Sequence, residues 1–225
     1  MTPNQMLSQL RDYADLLLGS GVALAINPVV MQNMAAGVVR VTSQRVGSYA
    51  NALANLEFAT VDEYRSYLAA QDYLALLSDG AIVQVSYDLS QRRVIRHRLC
   101  FYPCPCAFDP DLASGEPLLD VIDMYLQESP SHLRLRTPLR FDYDASREDD
   151  QHSPAHLHMQ WAHCRCAVAG PLSLGRFTRF VFKHFYPSLW NEHAFLRELR
   201  QETWRRSIGT VHEAEIHLAW RELHR

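Results

Sequence analysis

The sequence predicts an α+β fold, a mostly antiparallel sheet flanked by N-terminal and C-terminal helices. Three observations predict it. Apolar residues recur at helical spacing after Thr2-Pro3, alternate at strand spacing between Val83 and Phe101, and return to helical spacing after Ser173. With 225 residues and 48% hydrophobic content the chain can bury a substantial core within one domain, residues 1–225. That domain divides into a mainly helical N-terminal part (1–80), a sheet with a histidine cluster (81–170) and C-terminal helices (171–225). No internal repeat, low-complexity tract or long linker interrupts it.

Taken in order, Thr2 is an N-cap with Pro3 at the first helical position, and Met6, Leu10, Tyr13, Leu17 and Leu18 give the apolar stripe of a helix ending near Gly19 or Gly21. Residues 22–50 hold two apolar pieces around Pro28 that fit either strands or a helix followed by a strand. Thr60 and Glu63 form a capping box for a helix from Val61 to about Ser78, with Tyr64, Leu68, Leu74 and Leu77 inward and Gly80 as its stop. Val83, Val85, Tyr87 and Leu89 alternate, a turn follows at residues 90–92, and Ile95, His97, Leu99 and Phe101 alternate on the return, which predicts a hairpin.

A short helix is expected over 120–128, and a third strand over Leu133, Leu135, Leu139, Phe141 and Tyr143, with Pro138 marking an edge or bulge. Further strands are expected at 156–158 and 164–168. Ser173 opens a helix broken at Pro187, and Ser188 caps another reaching about Arg206. The last segment, from a Thr210/Glu213 capping box through Ile216, Leu218 and Trp220, reads as a helix or a closing strand.

Composition excludes some classes. The longest apolar runs, 22–26 and 34–39, are too short to span a bilayer, and the N-terminus lacks the basic-then-apolar order of a signal peptide, so a cytoplasmic protein without a membrane partner is expected. The pattern GxxxxGK[ST] is absent, as is GxSxG, so neither an ATPase nor a serine hydrolase has local support. Net charge is −3, yet the cations are twenty-one arginines and one lysine, Lys183. Arginine forks suit phosphate and carboxylate recognition, and arginine-favouring codon usage is the plainer explanation of their number.

The densest chemistry lies in QHSPAHLHMQWAHCRC, residues 151–166. On an extended backbone His156 and His158 project to one face, and His152 joins them unless Pro154 redirects the chain. Such imidazoles act as general acid and base near neutrality, with Arg165 stabilising a developing negative charge. They also suit a divalent metal: His152, His156 and His158, with Asp142 and Asp144 from the preceding strand, supply mixed nitrogen and oxygen ligation. The plainer readings are hydrogen-bonded histidines and aspartates paired with Arg134, Arg136 and Arg140. His97, on an apolar face, reads as a satisfied core histidine.

Two further patterns compete. Cys104-Pro105-Cys106 and Cys164-Arg165-Cys166 offer four thiols for zinc, but one intervening residue is shorter than the usual two to four, and buried free thiols are the default. Arg96 and Arg98, with Arg134, Arg136 and Arg140, would make a basic sheet face able to track phosphates, or a solvated face balanced by Asp142, Asp144, Glu148, Asp149 and Asp150.

The string Arg140-Phe141-Asp142-Tyr143-Asp144, then His152-Ser153-Pro154-Ala155-His156-Leu157-His158, then Cys164-Arg165, then residues 177–186, resembles an uncharacterised bacterial family, a domain of unknown function, over about residues 80–187. The resemblance implies defence and mobile-element gene neighbourhoods, and so a protein partner in a defence or toxin–antitoxin assembly; it brings no established reaction. A slighter likeness is to TumE-like toxins, where only His156-Leu157-His158 and the downstream helix correspond and the long N-terminal region departs.

Two functions follow as expectations. One is a nuclease-like, RNase-type effector of a bacterial defence or toxin-type system, with nucleic acid as its substrate and His152, His156, His158 and Arg165 as its catalytic groups. The other is a non-catalytic subunit of a multi-protein antiphage complex, docking through helices that carry Trp190, Trp204 and Trp220. An effector needs His156, His158 and Arg165 convergent in an open cleft; a subunit buries the histidines and exposes an apolar patch.

Overall fold

The computed structural model describes residues 1–43, 60–113, 115–147, 152–202 and 204–220. It is α+β, with one nine-stranded sheet and helices at both ends. Helix α1 (Pro3–Gly19) starts where the sequence predicts: Thr2 Oγ1 accepts from the Gln5 N–H at 3.2 Å, and Gln5 Oε1 accepts from the Thr2 N–H at 2.8 Å. Met6, Leu10, Tyr13 and Leu17 are buried, whereas Leu18 stays 43% exposed because a step of 100° past Leu17 carries it off the stripe.

The ambiguous stretch after α1 forms three strands, β1 (Ala23–Ile26), β2 (Val30–Asn33) and β3 (Val39–Thr42). Residues 44–50 of that stretch lie outside the described residues. Helix α2 (Val61–Ala69) is capped by Thr60, whose Oγ1 accepts from the Glu63 N–H at 3.1 Å, but it ends well before Ser78. Gln71 takes φ +53, and β4 (Ala75–Leu77) follows. The Leu74 N–H donates to the Val83 carbonyl and the Leu77 N–H to the Ala81 carbonyl, so sheet bonds displace the expected helical ones. Gly80, at φ +81, serves the turn into the next strand instead of stopping a helix.

Strands β5 (Ile82–Ser90) and β6 (Arg93–Tyr102) make the expected hairpin, with Gln91 and Arg92 both at positive φ in a two-residue turn that matches the strand twist. Helices α3 (Pro110–Ala113) and α4 (Leu118–Glu128) precede β7 (Leu139–Asp144). The third strand therefore begins after Pro138; before it, Leu133 makes only an isolated bridge to Cys106 and Leu135 is fully exposed. Strands β8 (Ala155–Met159) and β9 (Trp161–Ala167) are joined through Gln160 at φ +59.

Ser173 caps α5 (Leu174–Phe185) as predicted. The single helix expected over 188–206 is instead α6 (Pro187–Glu192) and α7 (Ala194–Glu198), divided at His193 in extended geometry. Residues 210–220 hold a short helix α8 (Thr210–Glu213) and then an isolated parallel bridge from Leu218 to Val168; the expected Thr210/Glu213 capping box does not form, because Thr210 is already the first helical residue and Gly209, at the N-cap, has no side chain to accept.

The sheet order is β1-β4-β5-β6-β7-β8-β9, with β3 joining β5 beyond β4 and β2 outside β3; every ladder is antiparallel. One face carries Val83, Val85, Tyr87, Phe101, Leu139, Phe141 and Leu157 into the main core with α1 and α5. A smaller apolar cluster on the other face joins Tyr64, Tyr67 and Ile122 from α2 and α4 to Ile82, Cys100 and Tyr102. The remainder of that second face is polar. No helix among the described residues is long and apolar enough to cross a membrane.

Candidate functional site

Residues directly opposite in an antiparallel ladder share a face, so the register builds this polar surface in rows. One row runs Arg40, Asp88, Arg96 and Asp144 across β3, β5, β6 and β7. The next runs Thr42, Ser86, Arg98, Asp142 and His156 across β3, β5, β6, β7 and β8. A third runs Gln84, Cys100, Arg140, His158 and Arg165 across β5 to β9.

The first row alternates in sign and is paired throughout: Arg40 to Asp88 at 2.7 Å, Arg96 to Asp88 at 3.6 Å and Arg96 to Asp144 at 3.0 Å. In the second and third rows the arginines converge on one carboxylate. Arg98 Nε donates to Asp142 Oδ1 at 3.0 Å, and Arg140 Nε, two residues along the same strand, donates to Asp142 Oδ2 at 2.9 Å. His158 Nε2 lies 3.5 Å from Asp142 Oδ2. The His156 and His158 rings meet edge to face with centroids 4.7 Å apart, and His156 Nδ1 lies 2.9 Å from the Ser153 carbonyl. One ligand atom from each of Asp142, His156 and His158 fits within 4.8 Å of the others.

A sequence profile described as an uncharacterized conserved protein family (DUF2290) matches residues 24–220. The chain belongs to this family. The match takes in the sheet from the second residue of β1 onward, with the whole of the polar face, and leaves out α1. No curated protein and no solved structure gives a significant match.

In this DUF2290 chain the electrostatics of the cluster follow from burial and from its arginines. Burial alone would raise the Asp142 carboxyl, but Arg98 and Arg140 hold it down at about 2. Burial and Arg140 together push His158 down to about 3, and burial lowers His156 against the pull of the Ser153 carbonyl and Asp142. Both imidazoles are therefore neutral near pH 7. His158 is only 2% exposed, His156 is half-buried, and Arg165 stands exposed on β9.

Of the residues singled out from sequence, Asp142, His156 and His158 come together, and Arg165 lies opposite His158 in the ladder. His152 and Asp144 fall outside the cluster. Asp144 is on the same face as Asp142 but in the next row, where it binds Arg96 and the Ser146 hydroxyl. The expected partners of the aspartates change as well: Arg98 and Arg96 replace Arg134 and Arg136, which bind backbone carbonyls at Ser131 and Cys104.

Free thiols, the default reading of the cysteines, are what the structure has, although Cys164 is exposed. All five cysteines are free thiols; Cys104 and Cys106 are buried on the smaller apolar cluster, and Cys164 and Cys166 sit on β9. His97 is the core histidine expected but is satisfied at one nitrogen only: its Nε2 accepts from the Leu172 N–H at 2.9 Å, while its buried Nδ1 has no hydrogen-bond partner among the described residues. Sequence reasoning missed the clamp of Arg98 on Asp142 and the whole Arg40–Asp88 pair; Arg40, Asp88 and Arg98 each stand among apolar neighbours at strand spacing, but their pairing follows only from the strand register.

Proposed function

We propose that the chain is a nuclease-like effector of a bacterial defence or toxin-type system, acting in the cytoplasm on RNA phosphodiesters through His156. The observation that carries this reading is the convergence of Asp142, His156 and His158 beside Arg140 and Arg165. The polar rows hold Arg40, Arg96, Arg98, Arg140 and Arg165 against Asp88, Asp142 and Asp144, so the local balance is cationic and attracts phosphate. That balance works against a resident dication, because both Asp142 oxygens already accept from guanidinium groups. Histidine acid–base chemistry needs no such ion.

RNA is favoured over DNA because its 2′-hydroxyl is an internal nucleophile. Neutral His156 takes the 2′-hydroxyl proton, the oxygen attacks phosphorus, the bond to the 5′-oxygen breaks, and the released 5′-alkoxide takes a proton from solvent. Arg165, with Arg140 behind it, stabilises the charge gathering on the phosphoryl oxygens. Buried His158 and the Asp142 clamp position His156. The defence setting rests on the sequence resemblance alone.

Cleavage of RNA and DNA by the purified chain, with and without EDTA, tests the reading. Expected is RNA cleavage that survives EDTA and falls by about 10²- to 10⁴-fold in His156→Gln, the usual contribution of one proton-transfer group. Cleavage abolished by EDTA, with stoichiometric metal lost in the same variant, would replace this mechanism with a metal-assisted one.

A second reading, a non-catalytic subunit of an antiphage complex, is favoured by the burial of His158, 2% exposed, and by the β8–β9 turn, where Trp161 is 66% and Met159 37% exposed. Wild-type protein that cleaves neither polymer would shift the balance to it.

A further inference from the structure

The same strand that sends Asp142 to the polar face sends Phe141 to the opposite one, and there it floors a cleft of about 350 Å³ between α5 and residues 218–220. Its volume lies within the range of about 300–1,000 Å³ typical of small-molecule sites. Helix α5 presents Arg176, Arg179 and Lys183 to it at i, i+3 and i+7, which is one helical face. No aspartate or glutamate lines the cleft among the described residues. Arg176 lies against the Trp220 ring, 4.8 Å from its centroid, and Arg179 lies 5.6 Å from that of Trp190. Neither Arg179 nor Lys183 has an ion-pair partner among the described residues.

A cleft with cations on one wall and Phe141, Phe180 and Trp220 as apolar surface asks for a ligand with both properties. We propose that this cleft binds a small phosphorylated ligand with an aromatic body, of the size and chemistry of a nucleoside monophosphate. The phosphate takes the planar fork of Arg179 and the point charge of Lys183, and the body lies on the aromatic floor. This site stands apart from the histidine cluster, on the other side of the sheet, and does not depend on the nuclease reading.

Lys183 is the chain's single lysine, so an acylating reagent reports on the cleft directly, with the Met1 amine as internal reference. Acetylation by an N-hydroxysuccinimide ester, followed by peptide mass spectrometry, would be run with millimolar AMP, GMP, CMP or UMP, and with adenosine or inorganic phosphate alone.

Expected is slowing of Lys183 acetylation by at least about fivefold with one or more monophosphates, as occupancy well above Kd requires, while Met1 reacts unchanged. Adenosine and inorganic phosphate protect less, Arg179→Gln and Trp220→Ala remove the protection, and His156→Ala keeps it. Should Arg179→Gln fail to fold, Lys183→Gln titrated calorimetrically with the same monophosphates replaces it, and undiminished affinity there overturns the proposal. No protection by any monophosphate, protection that survives Arg179→Gln, or equal protection by inorganic phosphate also overturns it.

Discussion

His97 shows what a buried titratable residue costs and contributes. It packs between Tyr87, edge to face, and the tilted ring of Tyr143, with ring centroids 5.7 and 5.6 Å away, and accepts from the Leu172 N–H while the Tyr87 hydroxyl donates to the Leu172 carbonyl at 3.0 Å. The chain entering α5 is thus fixed to the sheet at one residue by both backbone groups. Burial pushes His97 from 6.5 down to about 4, so between those values the unfolded chain binds the proton that the folded one refuses. Stability from this group is complete above pH 6.5 and is lost as the pH falls towards 4, up to about 3 kcal/mol at 1.36 kcal/mol per unit. Urea unfolding midpoints of wild type should rise across that window. His97→Leu should be less stable at pH 7 by about 1–3 kcal/mol, from the orphaned Leu172 N–H, and show a flatter rise; an unchanged slope would remove His97 from the account. The role of His97 was legible because it lies among apolar alternating neighbours. The site was legible only in part: two imidazoles at i and i+2 must share a face, but nothing local says that Asp142 stands opposite His156 and Asp144 one row away.

Elements were read well where both ends carry a chemical signal and poorly where one end is set by tertiary partners. Helices α1 and α5 start at Thr2 and Ser173, whose hydroxyls accept from backbone N–H groups, and both starts were predicted. Helix α2 has an equally good start at Thr60, yet its expected extension to Ser78 gives way to β4, because Leu74 and Leu77 find backbone partners across the sheet. Periodicity alone does not separate three buried residues of a strand from the last turn of a helix. The β4–β5 connection then rests on Gly80. Its φ of +81 suits glycine, and an added Cβ would meet Phe108 Cε1 at 2.9 Å and Cys104 Sγ at 3.1 Å. Gly80→Ala is expected to cost about 2 kcal/mol from the left-handed backbone and the crowding. In a chain of this length that lowers Tm by about 4–8 °C in a thermal melt followed by circular dichroism; an unchanged Tm would mean that the turn rearranges freely.

At the scale of the molecule, the two faces of the sheet are held in different ways. The polar face is held by paired charges and the smaller apolar cluster, whereas the opposite face depends on α1 and α5. Helix α1 lies outside the family match, which begins at residue 24, yet Met6, Leu10 and Leu17 are completely buried and Tyr13 nearly so against strands within it. Arg11 adds two hydrogen bonds to the Val29 carbonyl, at 3.1 and 2.9 Å, which join α1 to the β1–β2 turn. Four large side chains removed from water stabilise the fold by about 6–12 kcal/mol at 1.5–3 kcal/mol each, comparable with the whole net stability of a domain, about 5–15 kcal/mol. Deleting residues 1–20 is therefore expected to abolish cooperative unfolding and to expose the surface of β1 and β3, read as loss of a thermal transition and gain of binding to an apolar dye. A truncated chain that melts cooperatively within a few degrees of the full one would show that the matched segment carries its own core, and would make α1 an addition to the fold instead of one of its walls.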